Sequence, residues 1–97
     1  MSWCTRLRYS RGALADLDDI FRYIARDHPA AAARLVARIE QVANLTAHHP
    51  HIGVIVRKPG LRRFPVGKYL IIYEVAADEV IIQYVRHGAR RPPWRDQ

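Results

Sequence analysis

Apolar and polar positions change period along this chain, and each change marks an element. From Trp3 to Tyr9, Trp3, Thr5, Leu7 and Tyr9 fall on one side and Cys4, Arg6 and Arg8 on the other, the period of a half-buried strand. Spacing then lengthens to three and four residues: Leu14, Leu17, Phe21 and Ile24, joined by Ala13 and Ile20. This predicts an amphipathic helix over about Arg11 to Arg26, with Asp16, Asp19, Arg22 and Arg26 on its polar side. Ser10 stands where a capping side chain is needed. Asp27-His28-Pro29 ends the helix, because proline disfavours helical geometry in the residue before it and suits the first turn of the next helix. A second helix follows from about Pro29 to Ala47, with Ala32, Leu35, Val36, Ile39, Val42 and Ala43 on one stripe.

Beyond Pro50 the period returns to two. His48 to Gly53 reads as a connection and Val54 to Gly60 as a loop or irregular strand, with Pro59-Gly60 a turn signal. Three strand runs follow: Leu61 to Val66, Tyr69 to Val75 and Val80 to Val85, broken at Gly67-Lys68 and at Ala76 to Glu79. β-Branched and aromatic residues dominate the last two runs. Tyr69 to Val75 is apolar on both sides and is expected at the sheet centre. On the last strand, strict alternation sets Val80, Ile82, Tyr84 and Arg86 against Ile81, Gln83, Val85 and His87. Pro92-Pro93 stops further pairing, since proline offers no N–H to a ladder. The predicted class is α+β: a two-layer βααβββ chain with an N-terminal strand and an antiparallel helix hairpin packed on a mainly antiparallel sheet. The hairpin must bury its shared stripe, and the sheet is the large partner available.

With 97 residues, one core is expected and a second is not, so the whole chain reads as a single domain with flexible ends at 1–2 and 95–97. A single cysteine, Cys4, excludes an internal disulfide and suits a reducing cytoplasm. No run reaches a membrane span and no apolar signal core opens the chain, so the expectation is a soluble, unexported, cytoplasmic protein without a membrane partner. The net charge of +7 attracts nucleic acid, acidic protein or anionic membrane without choosing among them. Its distribution is uneven, with seven Lys or Arg against five acids in residues 1–56 and nine against four in 57–97.

Chemistry-bearing residues concentrate in that basic half. Arg62, Arg63, Arg86, Arg90 and Arg91 are expected to ring a surface that the helices leave open. Together with Trp94 they form the predicted contact surface for a target or partner. Any one of them alone is ordinary solvated charge; several at one margin suit an acidic macromolecule. His48, His49 and His51 match no standard zinc spacing, so no metal is assigned and no cofactor is expected. Histidine as a residue type is a usual proton acceptor or donor, so His87 is a candidate, yet a partly buried residue ending a strand is the better explanation. Tyr69, Tyr73 and Tyr84 read as sheet packing before base stacking.

The element order, the corner Asp27-His28-Pro29, the segment His49-Pro50-His51-Ile52-Gly53, the run Leu61-Arg62-Arg63-Phe64 leading to Tyr69-Leu70-Ile71-Ile72-Tyr73, and above all Val85-Arg86-His87-Gly88-Ala89-Arg90 resemble the RelE/ParE superfamily of toxin–antitoxin toxins, also known as plasmid stabilisation proteins. The resemblance spans residues 5–94. It implies a type II toxin held in a hetero-oligomer by a ParD-like antitoxin. ParE-like members are linked to inhibition of DNA gyrase, whereas RelE-like members cleave mRNA on the ribosome. For the cleaving branch it implies Arg63, His87 and Arg90 as the catalytic candidates. Against that branch, Leu70 follows the aromatic Tyr69 where the RelE pattern has arginine, and Leu61 stands at another basic position; leucine neither stabilises a phosphorane nor moves a proton. The sequence thus favours a gyrase inhibitor that is not an enzyme, with a ribosome-dependent endoribonuclease second and a non-toxic basic binding module third.

Overall fold

A computed structural model describes residues 6–56 and 60–88. The order is β1 (Arg6–Tyr9), α1 (Arg11–Ala25), α2 (Pro29–His48), β2 (Val54–Ile55), β3 (Leu61–Val66), β4 (Tyr69–Val75) and β5 (Glu79–His87). Five strands form one sheet in the order β1-β5-β4-β3-β2, with the helix hairpin against one side. The expected α+β architecture of two helices on a mostly antiparallel sheet is therefore present. Trp3, Cys4, Thr5, Arg90, Arg91, Trp94 and the ends expected to be flexible lie outside the described residues.

Local signals act as their chemistry dictates. The Ser10 hydroxyl accepts the Ala13 N–H at 3.0 Å and donates to the Gln83 carbonyl at 3.0 Å, so one side chain caps α1 and ties its start to β5. Proline at the start of α2 sets the helix corner. Gly67 turns β3 into β4 at a φ of 59°, a left-handed conformation suited to a two-residue hairpin. The core joins Ala13 and Leu17 of α1, with Ile39, Val42 and Ala43 of α2, to Val66, Ile71, Tyr73, Val80, Ile82 and Val85 of the sheet. As expected, β4 is central, and Ile71, Ile72 and Tyr73 are all fully buried.

The structure makes two sequence expectations more specific and corrects a third. The meander gains an edge strand, because Val54 and Ile55 pair antiparallel with Arg63 and Arg62. Strand β1, whose direction the sequence left open, lies parallel to β5 within this mainly antiparallel sheet, Leu7 beside Val80 and Tyr9 beside Ile82. On β5, strict alternation fails at Gln83. Ile72 faces Tyr84 but Tyr73 faces Ile82, so one extra residue forms a bulge and shifts every later side chain to the opposite face. Val80, Ile82 and Val85 consequently share the core face, while Tyr84 is 37% exposed.

The α1 stripe is also broader than its cover. Ala13 and Leu17 are buried, but Leu14 is 54% and Phe21 39% exposed.

Candidate functional site

Beyond Tyr9 the outer edge of β5 has no strand beside it among the described residues, and α1 runs along it instead. Gly88 N–H bonds the Lys68 carbonyl at 2.6 Å; alternation from that bond turns the N–H groups of His87 and Val85 away from β4. Asp16 meets the second of these. Its Oδ2 accepts the Val85 N–H at 2.9 Å, and its Oδ1 accepts from Arg86 Nη1 at 2.8 Å. The Asp16 side chain keeps only 13% of its exposure and that of Arg86 39%. A helix carboxylate thus does what a neighbouring strand would do and anchors a cation at the same point. Arg86 also lies 5.0 Å from the centroid of the Tyr84 ring, within cation–π range.

This end of the sheet opens into a groove of about 820 Å³, lined by Asp16 and Tyr23 of α1, Lys68 of the turn, and Tyr69, Arg86 and His87. Tyr23 is 71% exposed. His87 meets Tyr69 edge to face, ring centroids 5.1 Å apart. Apolar rings, two cations and two helix acids, Asp16 and Asp19, give the groove the mixed character of a peptide-binding surface rather than a purely anionic-ligand pocket.

The other arginines separate. In the β3–β4–β5 register, Arg63 stands opposite Ile72, which stands opposite Tyr84. By register, Arg63, Tyr84 and, two residues on, Arg86 therefore leave from the sheet face away from the helices, and the Arg86 side chain turns back at the sheet edge to reach Asp16 of α1. Arg63 and Tyr84 are two strands apart, about 10 Å. Arg8 is on this face too, paired with Glu79 at 3.3 Å. His87 stands opposite Tyr69, three residues from Ile72 on an unbulged strand, which assigns it to the helix side. Arg63 and His87 hence project from opposite faces.

Arg62 is occupied structurally. Its Nη1 donates to the Gly53 carbonyl at 2.7 Å and to the His51 carbonyl at 3.3 Å. The buried Tyr73 hydroxyl accepts the Gly53 N–H at 2.9 Å and donates to the Pro50 carbonyl at 2.8 Å. Burial pushes the Tyr73 hydroxyl above its ordinary pKa, against the downward pull of the Gly53 N–H and the Arg62 charge. Burial likewise raises Tyr9, helped by the Glu40 carboxylate. Of the three histidines 48, 49 and 51, His48 ends α2 and donates through Nδ1 to the Asn44 carbonyl at 2.8 Å. Among the described residues no group of three or more His, Cys, Asp or Glu comes together to hold a metal, and no helix is long and apolar enough to cross a membrane.

The model of the ParE toxin of the type II toxin–antitoxin system parDE matches residues 7–92. This chain belongs to the ParE toxin family. A Sinorhizobium fredii protein named as toxin Y4kP is 36% identical over 90 residues, covering 91% of this chain and 93% of that relative. Toxin RelE2 of Caulobacter vibrioides is 37% identical over 78 residues, 80% of this chain and 89% of the relative. Among solved structures, a chain of the chromosomal ParDE system of P. aeruginosa superposes with a TM-score of 0.78 at 22% identity, covering 89% of this chain and 98% of its own. A chain of the RelBE2 toxin–antitoxin complex of Mycobacterium tuberculosis gives 0.67 at 20%, covering 87% and 98%. The fold is thus the RelE/ParE fold, and the ParE-family chain is a toxin of the type II toxin–antitoxin class.

Sequence reasoning missed Asp16, which it set on the solvated face of α1. An acid two turns after a capped helix start was the available signal, but its partner on β5 lies 69 residues away.

Proposed function

We propose that this ParE-family toxin arrests growth in the cytoplasm by binding DNA gyrase without chemistry of its own, and that a ParD-like antitoxin neutralises it in a hetero-oligomer. The observation that carries the gyrase reading is the division of the cleavage candidates. A ribonuclease needs a proton acceptor and cations around one phosphate, whereas Arg63 and His87 leave the sheet on opposite faces. Leu61 and Leu70 leave two further positions without charge.

For the antitoxin, the supporting features are the groove beside α1 and the exposed Leu14 and Phe21. An amphipathic segment that orders on binding would cover them while its acids meet the arginines. The similar solved chains come from a ParDE system and a RelBE2 toxin–antitoxin complex, which supports an antitoxin as partner.

A second reading, ribosome-dependent mRNA cleavage, draws on the open face that holds Arg63, Arg86 and Tyr84. The deciding experiment induces the chain in cells with and without the adjacent gene. DNA-damage signalling and gyrase-dependent breaks support the proposal, codon-biased transcript cuts support the second reading, and unaffected growth refutes both in favour of a binding module.

A further inference from the structure

Among the described residues, strand β2 lies at the end of the sheet, paired on one side only. Its apolar side chains are unusually bare: Val54 is 60%, Ile55 56% and neighbouring Ile52 38% exposed. The Val56 N–H bonds the Leu61 carbonyl at 2.9 Å, so alternation turns the N–H and C=O of Ile55 away from β3. Apolar exposure beside a strand's unpaired backbone invites another strand, and edges without such a partner are normally shielded by charge or proline.

Here the edge is held ready. The Tyr73 hydroxyl and the Arg62 guanidinium grip Gly53 from both sides, immediately before Val54. Little ordering would be needed on binding, which favours affinity.

Charge identifies the occupant. From Gln41 to Tyr73 there is no acid, while the same run holds five Lys or Arg and three His. A second copy would bring two cationic edges together, which repulsion opposes. An extended peptide alternating apolar and acidic residues supplies backbone bonds, apolar cover and complementary charge at once.

We propose that β2 is a strand-docking edge, which takes an acidic, extended segment of the antitoxin as a sixth strand. This rests on the antitoxin reading above, and the test separates the two. Backbone hydrogen exchange across residues 52–56 is compared for the chain alone and for its complex with the co-expressed product of the adjacent gene. Protection appearing in the complex is the expected result. Both Ile55→Pro, which removes the outward N–H, and Ile55→Glu, which adds a like charge, then weaken the complex by at least about tenfold. Absence of any complex overturns the antitoxin reading. A complex in which 52–56 exchange as fast as in the free chain overturns the docking edge and leaves that reading intact. Concentration-dependent protection in the chain alone, or protection by a single-stranded RNA oligonucleotide but not by the antitoxin, overturns it in favour of self-association or nucleic acid.

Discussion

Replacing Asp16 tests the idea that a helix carboxylate completes the edge of β5. In Asp16→Ala the Val85 N–H loses its acceptor in a site with little access to water, costing about 1–3 kcal/mol. Arg86 also loses its partner, but it is more than one-third exposed, so that loss adds no more than about 1 kcal/mol. Alanine's better helix propensity offsets about 0.5–0.7 kcal/mol. The net expectation is a destabilisation of about 0.5–3.5 kcal/mol, centred on about 2 kcal/mol and decided by the unpaired amide. Each kcal/mol moves Tm by about 4–8 °C in a domain of this size, so Tm falls by on the order of 10 °C. Asp16→Asn keeps an oxygen for the Val85 N–H and loses only the charge; it should cost less than about 1 kcal/mol. Urea unfolding of the three proteins, read as a change in midpoint at constant slope, measures both. A value for Asp16→Ala within about 0.5 kcal/mol of the parent would refute the edge role. Equal losses in the two variants would mean that charge, not the amide, is the stabilising term.

Gly53→Ala should destabilise by about 1–3 kcal/mol, because its Cβ would sit 2.5 Å from the Tyr73 hydroxyl and 2.7 Å from the Arg63 carbonyl; thermal melts check it, and an unchanged Tm would show that the loop yields freely. Tyr73→Phe strands the Gly53 N–H and the Pro50 carbonyl, a loss of about 1–3 kcal/mol by the same melts. Since burial raises the folded-state pKa of Tyr73, its contribution is complete below the unfolded value of about 10 and is lost as pH climbs through the folded value. Tm should therefore fall above about pH 10, and more gently in Tyr73→Phe; identical slopes would contradict this. Arg63→Glu, on the open face, should weaken antitoxin binding and reduce its dependence on salt, whereas Arg62→Glu should act first through stability, because Arg62 holds the Gly53 loop. Titrations at two ionic strengths alongside melts separate the two effects.

Where structure depends on near neighbours, the chain states it openly. Ser10 caps α1, Pro29 starts α2 and the doubly apolar run Tyr69–Val75 becomes the buried central strand. The resemblance carried by Val85 to Arg90 led to the right superfamily. What escaped depends on partners remote in sequence. A bulge at Gln83 leaves residue types unchanged while exchanging faces, so alternation carried past it assigns Tyr84, Val85 and Arg86 wrongly. The parallel direction of β1 is set by its docking beside β5, and β2 is only two residues long. Asp16 looks like any solvated helix acid until β5 presents an unpaired N–H to it. Arg62 and Arg63 are adjacent in sequence, yet one locks a loop and the other faces outward.

Purified gyrase, relaxed plasmid and the refolded chain, assayed together for supercoiling and for trapped DNA breaks, test the proposed function most directly. Dose-dependent loss of supercoiling that added antitoxin reverses is the predicted outcome. Undisturbed supercoiling, from a preparation of the chain that arrests growth in cells, would contradict it.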